Sequence, residues 1–401
     1  MASPLRQLHF ILFPFMAPGH MIPLMDIGKL LAREGMMVSI VTTPINAKRF
    51  ATIVAQAVES GLQMQFIELA FPSEEVGLPS KCENMDMMPS LGSGNKFLKA
   101  TYMLQEPAQR LLQQLNPKPS CIISDQNLPY TSEIAKVLHI PRISFDVNSP
   151  FCLLCWHNLY VNKVLERVTS VTEPFLVPGI PDRVAFTKSQ LPDAMADTEL
   201  DFFEKVVAAE KTNFGLVINT FEGLEAAYVQ GLRESRGYKV WCVGPVSLCN
   251  RDNLEKVHRG DKPTIDESEC LEWLNSQQPG SVVYACFGTL CNLTTPQLIE
   301  LGMGLEASNR PFIWAIRSGE TSKGLQEWIA EDGFEERTKR RGLVIRGWAP
   351  QIIILSHAAI GGFLTHCGWN STLEAIWLAC LWLHGRSLGI TSLMRSWLWM
   401  F

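Results

Sequence analysis

The sequence predicts an α/β protein made of two doubly wound, Rossmann-like domains that face one another. Its 401 residues exceed what one hydrophobic core usually organises. Apolar β-type runs alternate with stretches of helical spacing, and this alternation restarts after a polar stretch near residue 250. Parallel sheets covered by helices account for such a pattern. Ligands are then expected in the cleft at the carboxyl ends of both sheets.

The first domain is predicted over residues 1–250. It opens with a βαβ unit, from the strand Phe10–Phe13 through a helical stretch to the β-rich VSIVTT ending at Thr43. The strand CIIS before Asp125 and the strand RISF ending at Phe145 continue the alternation, and LVINT and VWCVGP close it.

Residues 251–270 are predicted to be a linker, because NRDNLEKVHRGDKPTID is polar and charged and has no apolar period. The strands SVVYACFG, PFIWAI, GLVIRGW and IGGFLT follow, with helical spacing between them. Residues 271–376 are therefore predicted to form the second domain.

Composition excludes several classes of protein. With 47% apolar and 19% charged residues, a net charge of −5 and scattered Lys and Arg, nucleic acid is not an expected partner. No clean apolar run of about twenty residues predicts a membrane span. We expect a cytoplasmic monomer.

The eleven cysteines are scattered and accompany no secretory leader, which favours reduced thiols. Cys152 and Cys155 form a CxxC, but they lie in the apolar run FCLLCWH and no second pair follows. Packing is the better interpretation, and no metal site is predicted.

Two side chains suit proton transfer. His20 is predicted in the loop after the first strand, in MAPGHMIP, where an imidazole can take a proton from an acceptor hydroxyl at neutral pH. Asp125 ends a buried strand at the same sheet edge and can orient that imidazole. The alternatives are that His20 is polar surface and that Asp125 caps the helix after Pro129.

The run WAPQIIILSHAAIGGFLTHCGWNSTLEAI suits a nucleotide. A strand leads through His366 into a helix predicted to begin near Asn370 or Ser371, whose free amides suit a diphosphate. Glu374 can accept hydrogen bonds from ribose hydroxyls, and Trp348 offers a flat face to a uracil ring. Taken singly, each residue also fits a structural role: core packing, a loop or a helix cap. A dinucleotide oxidoreductase is disfavoured, because no domain-opening strand is followed by GxGxxG.

This run closely resembles the signature box of plant secondary-product UDP-glycosyltransferases. Four shorter motifs match that family in order: GHMIP, SD at Asp125, NTFEGLE at Asn219, and FGT at Gly288 and Thr289. The resemblance covers residues 6–376.

The resemblance implies the two-domain GT-B fold, with the acceptor held mainly by the first domain and the UDP-sugar co-substrate mainly by the second. It implies inverting displacement at the anomeric carbon without a metal, a cofactor or a covalent intermediate. Glucose is the expected sugar, and the acceptor is expected to be a small plant metabolite, hormone or xenobiotic. The loops around 75–100 and 150–210 are expected to shape its pocket.

Residue roles follow from the same resemblance. His20 is implied as the general base, with Asp125 as its partner. The residues implied at the nucleotide are Trp348, the Ala349 backbone and Gln351 at uracil, Glu374 at ribose, Thr289, His366, Asn370 and Ser371 at the diphosphate, and Trp369 beside them.

The family pattern stops after Ile376, so the second domain is expected to be incomplete and residues 377–401 to be an aberrant tail. The family continues with an acidic residue followed by Gln or His that contacts the sugar, whereas this chain reads WLACLWLHGRSLGITSLMRSWLWMF. The alternative function is therefore a catalytically inactive product of such a gene.

We predict that a single-base deletion at codon 377 produced this C-terminal sequence. Codons can be chosen for 377–392 that, with one base restored in codon 377, read CAGVPMVTWPLFGDHF, the continuation of the family box. As written, the chain should show little or no transferase activity. Resequencing the gene tests the origin, and bases that cannot be read this way in the neighbouring frame would exclude it.

Overall fold

The computed structural model describes residues 7–191, 200–289, 293–317, 320–378 and 381–384. The chain divides into two compact units, Met1–Cys249 and Asn250–Phe401. This division lies beside the boundary near residue 250 that the sequence predicts. Each unit is built around its own parallel sheet.

The first unit contains a seven-stranded sheet in the order β3-β2-β1-β4-β5-β8-β9, in which every neighbouring pair is parallel. A short antiparallel pair, β6 and β7, stands apart from it. The strands are β1 His9–Phe13, β2 Met37–Thr42, β3 Met64–Glu68, β4 Cys121–Asp125, β5 Arg142–Asp146, β6 Phe175–Leu176, β7 Ala185–Phe186, β8 Gly215–Ile218 and β9 Lys239–Cys242.

Helices connect these strands, as the predicted βαβ alternation requires. They are α1 Pro18–Arg33, α2 Pro44–Arg49, α3 Ala51–Glu59, α4 Gly94–Tyr102, α5 Gln105–Gln114, α6 Thr131–Leu138, α7 Pro150–Val161, α8 Val164–Arg167, α9 Leu200–Glu210 and α10 Glu222–Arg236. Leu12 and Val38 of the sheet pack with Leu24 of α1 in one fully buried cluster. Burial of the central strands on both faces explains why they read as nearly continuous apolar runs.

The second unit contains a five-stranded parallel sheet in the order β12-β11-β10-β13-β14. Its strands are β10 Val282–Cys286, β11 Phe312–Ile316, β12 Gly342–Arg346, β13 Ile360–Thr365 and β14 Leu381–His384. Its helices are α11 Asn253–Val257, α12 Glu267–Asn275, α13 Thr295–Ala307, α14 Glu320–Asp332, α15 Phe334–Thr338, α16 Gln351–Leu355 and α17 Trp369–Trp377.

Alternate residues of the second sheet enter two different cores. Tyr284 and Ile313 belong to one buried cluster, while Ala285 and Trp314, one position further along β10 and β11, belong to the other. The Tyr284 ring stacks on Phe363 with centroids 5.1 Å apart. Both faces of the sheet are therefore covered, which confirms the predicted α/β class.

The stretch predicted as a linker, 251–270, is folded. It contains α11 and the start of α12, and its aspartates cap these helices: Asp252 accepts from the Glu255 amide at 2.8 Å and Asp266 from the Ser268 amide at 2.9 Å. The helices are short and polar, so they carry no apolar period that the sequence analysis could detect.

The predicted aberrant tail begins inside regular structure. Helix α17 runs to Trp377, and β14 pairs in parallel with β13, with Leu381 opposite Gly362. An edge strand needs only backbone pairing on one side, which the apolar LWLH can supply. Residues 385–401 lie outside the described residues.

Within the described ranges, no helix is long and apolar enough to span a membrane, and no group of three His, Cys, Asp or Glu side chains is placed to hold a metal. Cys152 and Cys155 are buried free thiols on α7. Burial raises the pKa of both, which fits packing.

We predict opposite effects for two glycine substitutions in the second unit. A Cβ at Gly361 would lie 2.0 Å from the Gly280 carbonyl oxygen, so Gly361→Ala should lower the free energy of unfolding by about 1–3 kcal/mol. A Cβ at Gly304, on the exposed side of α13, meets no atom within 4 Å, so Gly304→Ala should raise it by about 0.5–1 kcal/mol. Urea unfolding measures both, and equal effects would contradict the packing described.

Candidate active site

His20 lies in the first turn of α1 and not in a loop as the sequence analysis predicted. The helix begins earlier, at Pro18, since proline at the first helical position loses no hydrogen bond and has a suitable φ. The His20 side chain is 19% exposed, so solvent can reach the ring. A Cβ at the neighbouring Gly19 would meet no protein atom within 4 Å, so protein packing does not require glycine there.

His20 and Asp125 form a hydrogen bond, with Nδ1 of the imidazole 2.7 Å from Oδ2 of the carboxylate. Asp125 ends β4, which pairs directly with β1, and its side chain is 1% exposed. The other carboxylate oxygen accepts the Asn127 amide at 2.9 Å. Helix α6 begins at Thr131 after Tyr130, so the alternative that Asp125 caps this helix is wrong.

This pairing changes the basicity of His20. Burial lowers the pKa of the imidazole, but the charge and hydrogen bond of Asp125, helped by the charge of Asp146, outweigh burial and raise the pKa above its ordinary value. With Nδ1–H donating to Asp125, Nε2 keeps its lone pair and can accept a proton. The Phe15 ring packs edge-on against His20 at 5.3 Å between centroids.

Asp146 is a buried carboxylate that the sequence analysis missed, because it ended this strand at Phe145. It is the last residue of β5, just as Asp125 is the last residue of the neighbouring strand β4. Oδ1 accepts from the backbone and side-chain nitrogens of Asn148 at 2.8 and 2.9 Å, while buried Oδ2 has no hydrogen-bond partner. Burial raises its pKa to about 7, and the Asp125 charge adds to this.

Hydrogen bonds of Asn84 and Met85 hold their loop beside α1, and the sequence analysis did not predict them. The Asn84 amide nitrogen lies 2.8 Å from Asn46 Oδ1 and 3.7 Å from the Met21 sulfur, one residue from His20. The Met85 amide donates to the Met16 carbonyl at 2.9 Å. This loop belongs to the 75–100 region predicted to shape the acceptor pocket. Its hydrogen-bonding residues follow no periodic pattern, so the sequence did not single them out.

In the second unit, β13 leads into α17 through a short turn. Cys367 has a left-handed φ of 62°, and α17 begins at Trp369 after Gly368, slightly earlier than predicted. The N-cap residue Gly368 makes no side-chain hydrogen bond to this helix start, which is the positive end of the helix dipole. The hydroxyl of Ser371 instead accepts from Gln351 at 3.0 Å, so Ser371 is not the helix cap.

His366 is held between two glycines. A Cβ would lie 2.4 Å from the ring at Gly288 and 2.6 Å from it at Gly368, and Gly288 has a φ of 72°. Burial lowers the pKa of His366 to about 4, so the ring is neutral at physiological pH and can donate one hydrogen bond. Thr289 follows Gly288 and is half-buried.

Gln351, at the start of α16, connects several of the predicted nucleotide residues. Its amide nitrogen donates to Oε2 of Glu374 at 2.8 Å as well as to Ser371. Glu374 is buried on α17, while Trp348 is only half-buried and belongs to neither core cluster. Of the other residues predicted to bind the nucleotide, Ala349 and Trp369 are buried and Asn370 is half-buried.

The stretch predicted as a linker adds two contacts. Arg259 forms a buried ion pair with Oε1 of Glu374. Thr264 donates to the Trp348 carbonyl through its amide at 3.0 Å and its hydroxyl at 3.2 Å. The two pairs of residues are 84 and 115 positions apart in the sequence, so only the structure could show these contacts.

Comparison with known proteins identifies the family. The model of the family described as UDP-glucoronosyl and UDP-glucosyl transferase matches residues 108–380, and the chain belongs to this family. It is 53% identical over 372 residues to UDP-glycosyltransferase 73C12 of Barbarea vulgaris, covering 92% of this chain and 75% of that protein.

Two solved structures show the same fold. UGT73P12 of Glycyrrhiza uralensis, complexed with glycyrrhetinic acid 3-O-monoglucuronide, matches with a TM-score of 0.86 at 30% identity, over 97% of this chain and 79% of that chain. UGT2 of Phytolacca americana, complexed with UDP-2fluoro-glucose and pterostilbene, matches with a TM-score of 0.73 at 26% identity, over 98% and 83%. The GT-B fold implied by the sequence resemblance is confirmed.

We predict that Asp125→Asn lowers the pKa of His20, because burial then acts without the carboxylate charge. The ionic part of the pair stabilises the fold below about pH 6.5 and is lost as pH rises through the raised pKa of His20. NMR titration of ring-labelled histidine measures this, with the His20 signal assigned from His20→Gln. Asp252→Asn in the second unit is the control, and an unchanged His20 titration in Asp125→Asn would contradict the pairing.

Proposed function

We propose that this chain is a UDP-dependent glycosyltransferase that moves a sugar, with glucose as the first candidate, to a hydroxyl of a small plant metabolite, hormone or xenobiotic. The observation that carries the proposal is the 2.7 Å hydrogen bond between His20 and buried Asp125, in a chain that belongs to a UDP-sugar-using family. The first unit would hold the acceptor and the second the UDP-sugar.

In the proposed reaction, His20 Nε2 accepts the proton of the acceptor hydroxyl. The acceptor oxygen then forms a bond to the anomeric carbon while the bond from that carbon to the diphosphate oxygen breaks, which inverts the configuration. UDP leaves with the bonding electron pair, and the proton stays on His20 as an imidazolium stabilised by Asp125. A positioned general base of this kind contributes roughly 10²- to 10⁴-fold to the rate.

The second unit would bind the nucleotide. We assign the uracil to Trp348, the Ala349 backbone and Gln351, and the ribose to Glu374. Residues of two loops and the start of α17 would hold the diphosphate, with Trp369 packed beside them; these are Thr289, His366, Asn370 and Ser371. Because His366 is neutral at physiological pH, it would act as a hydrogen-bond donor, and the amides of α17 would supply most of the positive potential.

The surroundings of His20 support an apolar acceptor with one accessible hydroxyl. The Phe15 ring contacts Phe97 at 6.0 Å between centroids, and Phe97 contacts Phe71 at 5.0 Å. These buried rings form an apolar aromatic cluster next to the base. The small molecules complexed with the two solved relatives, glycyrrhetinic acid 3-O-monoglucuronide and pterostilbene, likewise contain an apolar ring skeleton.

The scheme uses UDP-sugar as a co-substrate and involves no cofactor. The cysteines in the described part of the chain are free thiols, which supports a reducing compartment, and we place the protein in the cytoplasm.

A second candidate is a chain that binds UDP but transfers little or no sugar. It is favoured by the residues after Ile376, where the acidic residue and Gln or His that the family resemblance implies are replaced by an apolar sequence. Incubation with UDP-glucose and a phenolic acceptor separates the two candidates: glucoside formation supports the first, and UDP binding without a product supports the second.

We predict that Trp348→Ala weakens UDP binding by roughly 1–3 kcal/mol through loss of stacking on uracil. His20→Ala should leave UDP affinity nearly intact, since the base serves the acceptor, and it is the matched control. Isothermal titration with UDP measures both. Equal UDP affinity of the parent and Trp348→Ala would show that Trp348 does not stack on the base, and no UDP binding by the folded parent would contradict the donor assignment.

A further inference from the structure

Arg259 occupies an unusual position for a residue in a polar stretch. It follows α11, yet its side chain is only 7% exposed, and the Glu374 side chain with which it pairs is only 3% exposed. A buried ion pair gains little net stability over apolar packing, but removal of one partner leaves a costly uncompensated charge. Arg259 therefore supplies the opposite charge that the buried Glu374 carboxylate needs.

The two oxygens of Glu374 have different partners. Arg259 Nη1 donates to Oε1, and Gln351 Nε2 donates to Oε2 at 2.8 Å. Two donors from different elements hold the carboxylate in one orientation. Since each carboxylate oxygen can accept about two hydrogen bonds, each keeps acceptor capacity for a hydroxyl of a bound nucleotide.

The same segment also contacts Trp348. The amide and hydroxyl of Thr264 both donate to the Trp348 carbonyl, and a Cβ at Gly347 would lie 2.5 Å from the Thr264 methyl group. The segment 259–264 is thus packed against the residues assigned to the base and the ribose at two independent points.

We propose that Arg259 is a positioning residue for nucleotide recognition: it holds the Glu374 carboxylate in the orientation that accepts hydrogen bonds from the ribose hydroxyls. Arg259 itself need not touch the nucleotide. This inference rests on the proposed function, specifically on binding of UDP by the second unit and on the assignment of Glu374 to the ribose. A purely structural ion pair would affect stability without affecting the choice between ribose and deoxyribose.

The test compares the affinities for UDP, 2′-deoxy-UDP and 3′-deoxy-UDP by isothermal titration. The parent should bind UDP roughly 10- to 100-fold more tightly than the analogue that lacks the hydroxyl bound by Glu374, as for other hydrogen bonds to charged groups. In Arg259→Met this ratio should fall below about threefold, and Arg259→Lys, which keeps the charge, should restore part of it.

Two controls separate this effect from general damage. Arg337→Met removes an exposed ion pair with Glu306 in the same unit and should leave the ratio unchanged. Thr264→Val removes a hydroxyl contact in the same segment but none with Glu374, so it should change all three affinities by a similar factor. Thermal unfolding of each variant shows whether the fold is retained.

Should Arg259→Met fail to fold, the double variant Arg259→Met/Glu374→Gln, which leaves neither charge of the pair in the interior, is compared with Glu374→Gln. If Arg259 acts through Glu374, both variants should lack discrimination between ribose and deoxyribose to the same extent. A further loss of discrimination in the double variant would overturn the proposal.

The outcomes also separate this inference from the proposed function. A folded parent that does not bind UDP contradicts the donor assignment, and a parent that binds UDP but not selectively contradicts the role of Glu374; the inference fails with either. A selective parent whose selectivity survives in Arg259→Met overturns the inference alone.

Discussion

The parallel pairing of β1 with β4 is the constraint on which the candidate base depends. It places the end of β4 next to the start of α1, so that Asp125 meets His20 at 2.7 Å although the two are 105 residues apart. Pro18 starts α1 early and puts the imidazole on the first helical turn. The raised pKa of His20 follows from this geometry, because burial alone would lower it.

Buried carboxylates organise the polar interior, and they differ in their partners. Asp125 pairs with His20, Glu374 with Arg259, and Glu210 with Arg142 at 3.6 Å. Asp146 has only the Asn148 donors and one oxygen without a hydrogen bond, and its pKa is raised to about 7. Asp146 and His20 each influence the pKa of the other, and the proposed reaction moves a proton at His20.

The candidate site residues were predictable to different degrees. The run from Trp348 to Glu374 could be predicted because its strand, turn and helix start follow one another within a short stretch of sequence. The family match to residues 108–380 confirms the class of protein. Roles carried over from the resemblance stay predictions. Arg259 and Asn84 were missed because their contacts join segments 115 and 38 residues apart, and neither belongs to a periodic pattern.

The sequence by itself determined the α/β class and the family, because apolar periodicity and local motifs can be recognised without three-dimensional information. Only the tertiary structure decided that the polar stretch after residue 250 folds against Trp348 and Glu374, that His366 lies between two glycines, and that LWLH forms β14. Such contacts depend on sheet register and on the burial of paired charges, and neither has a signature along the chain.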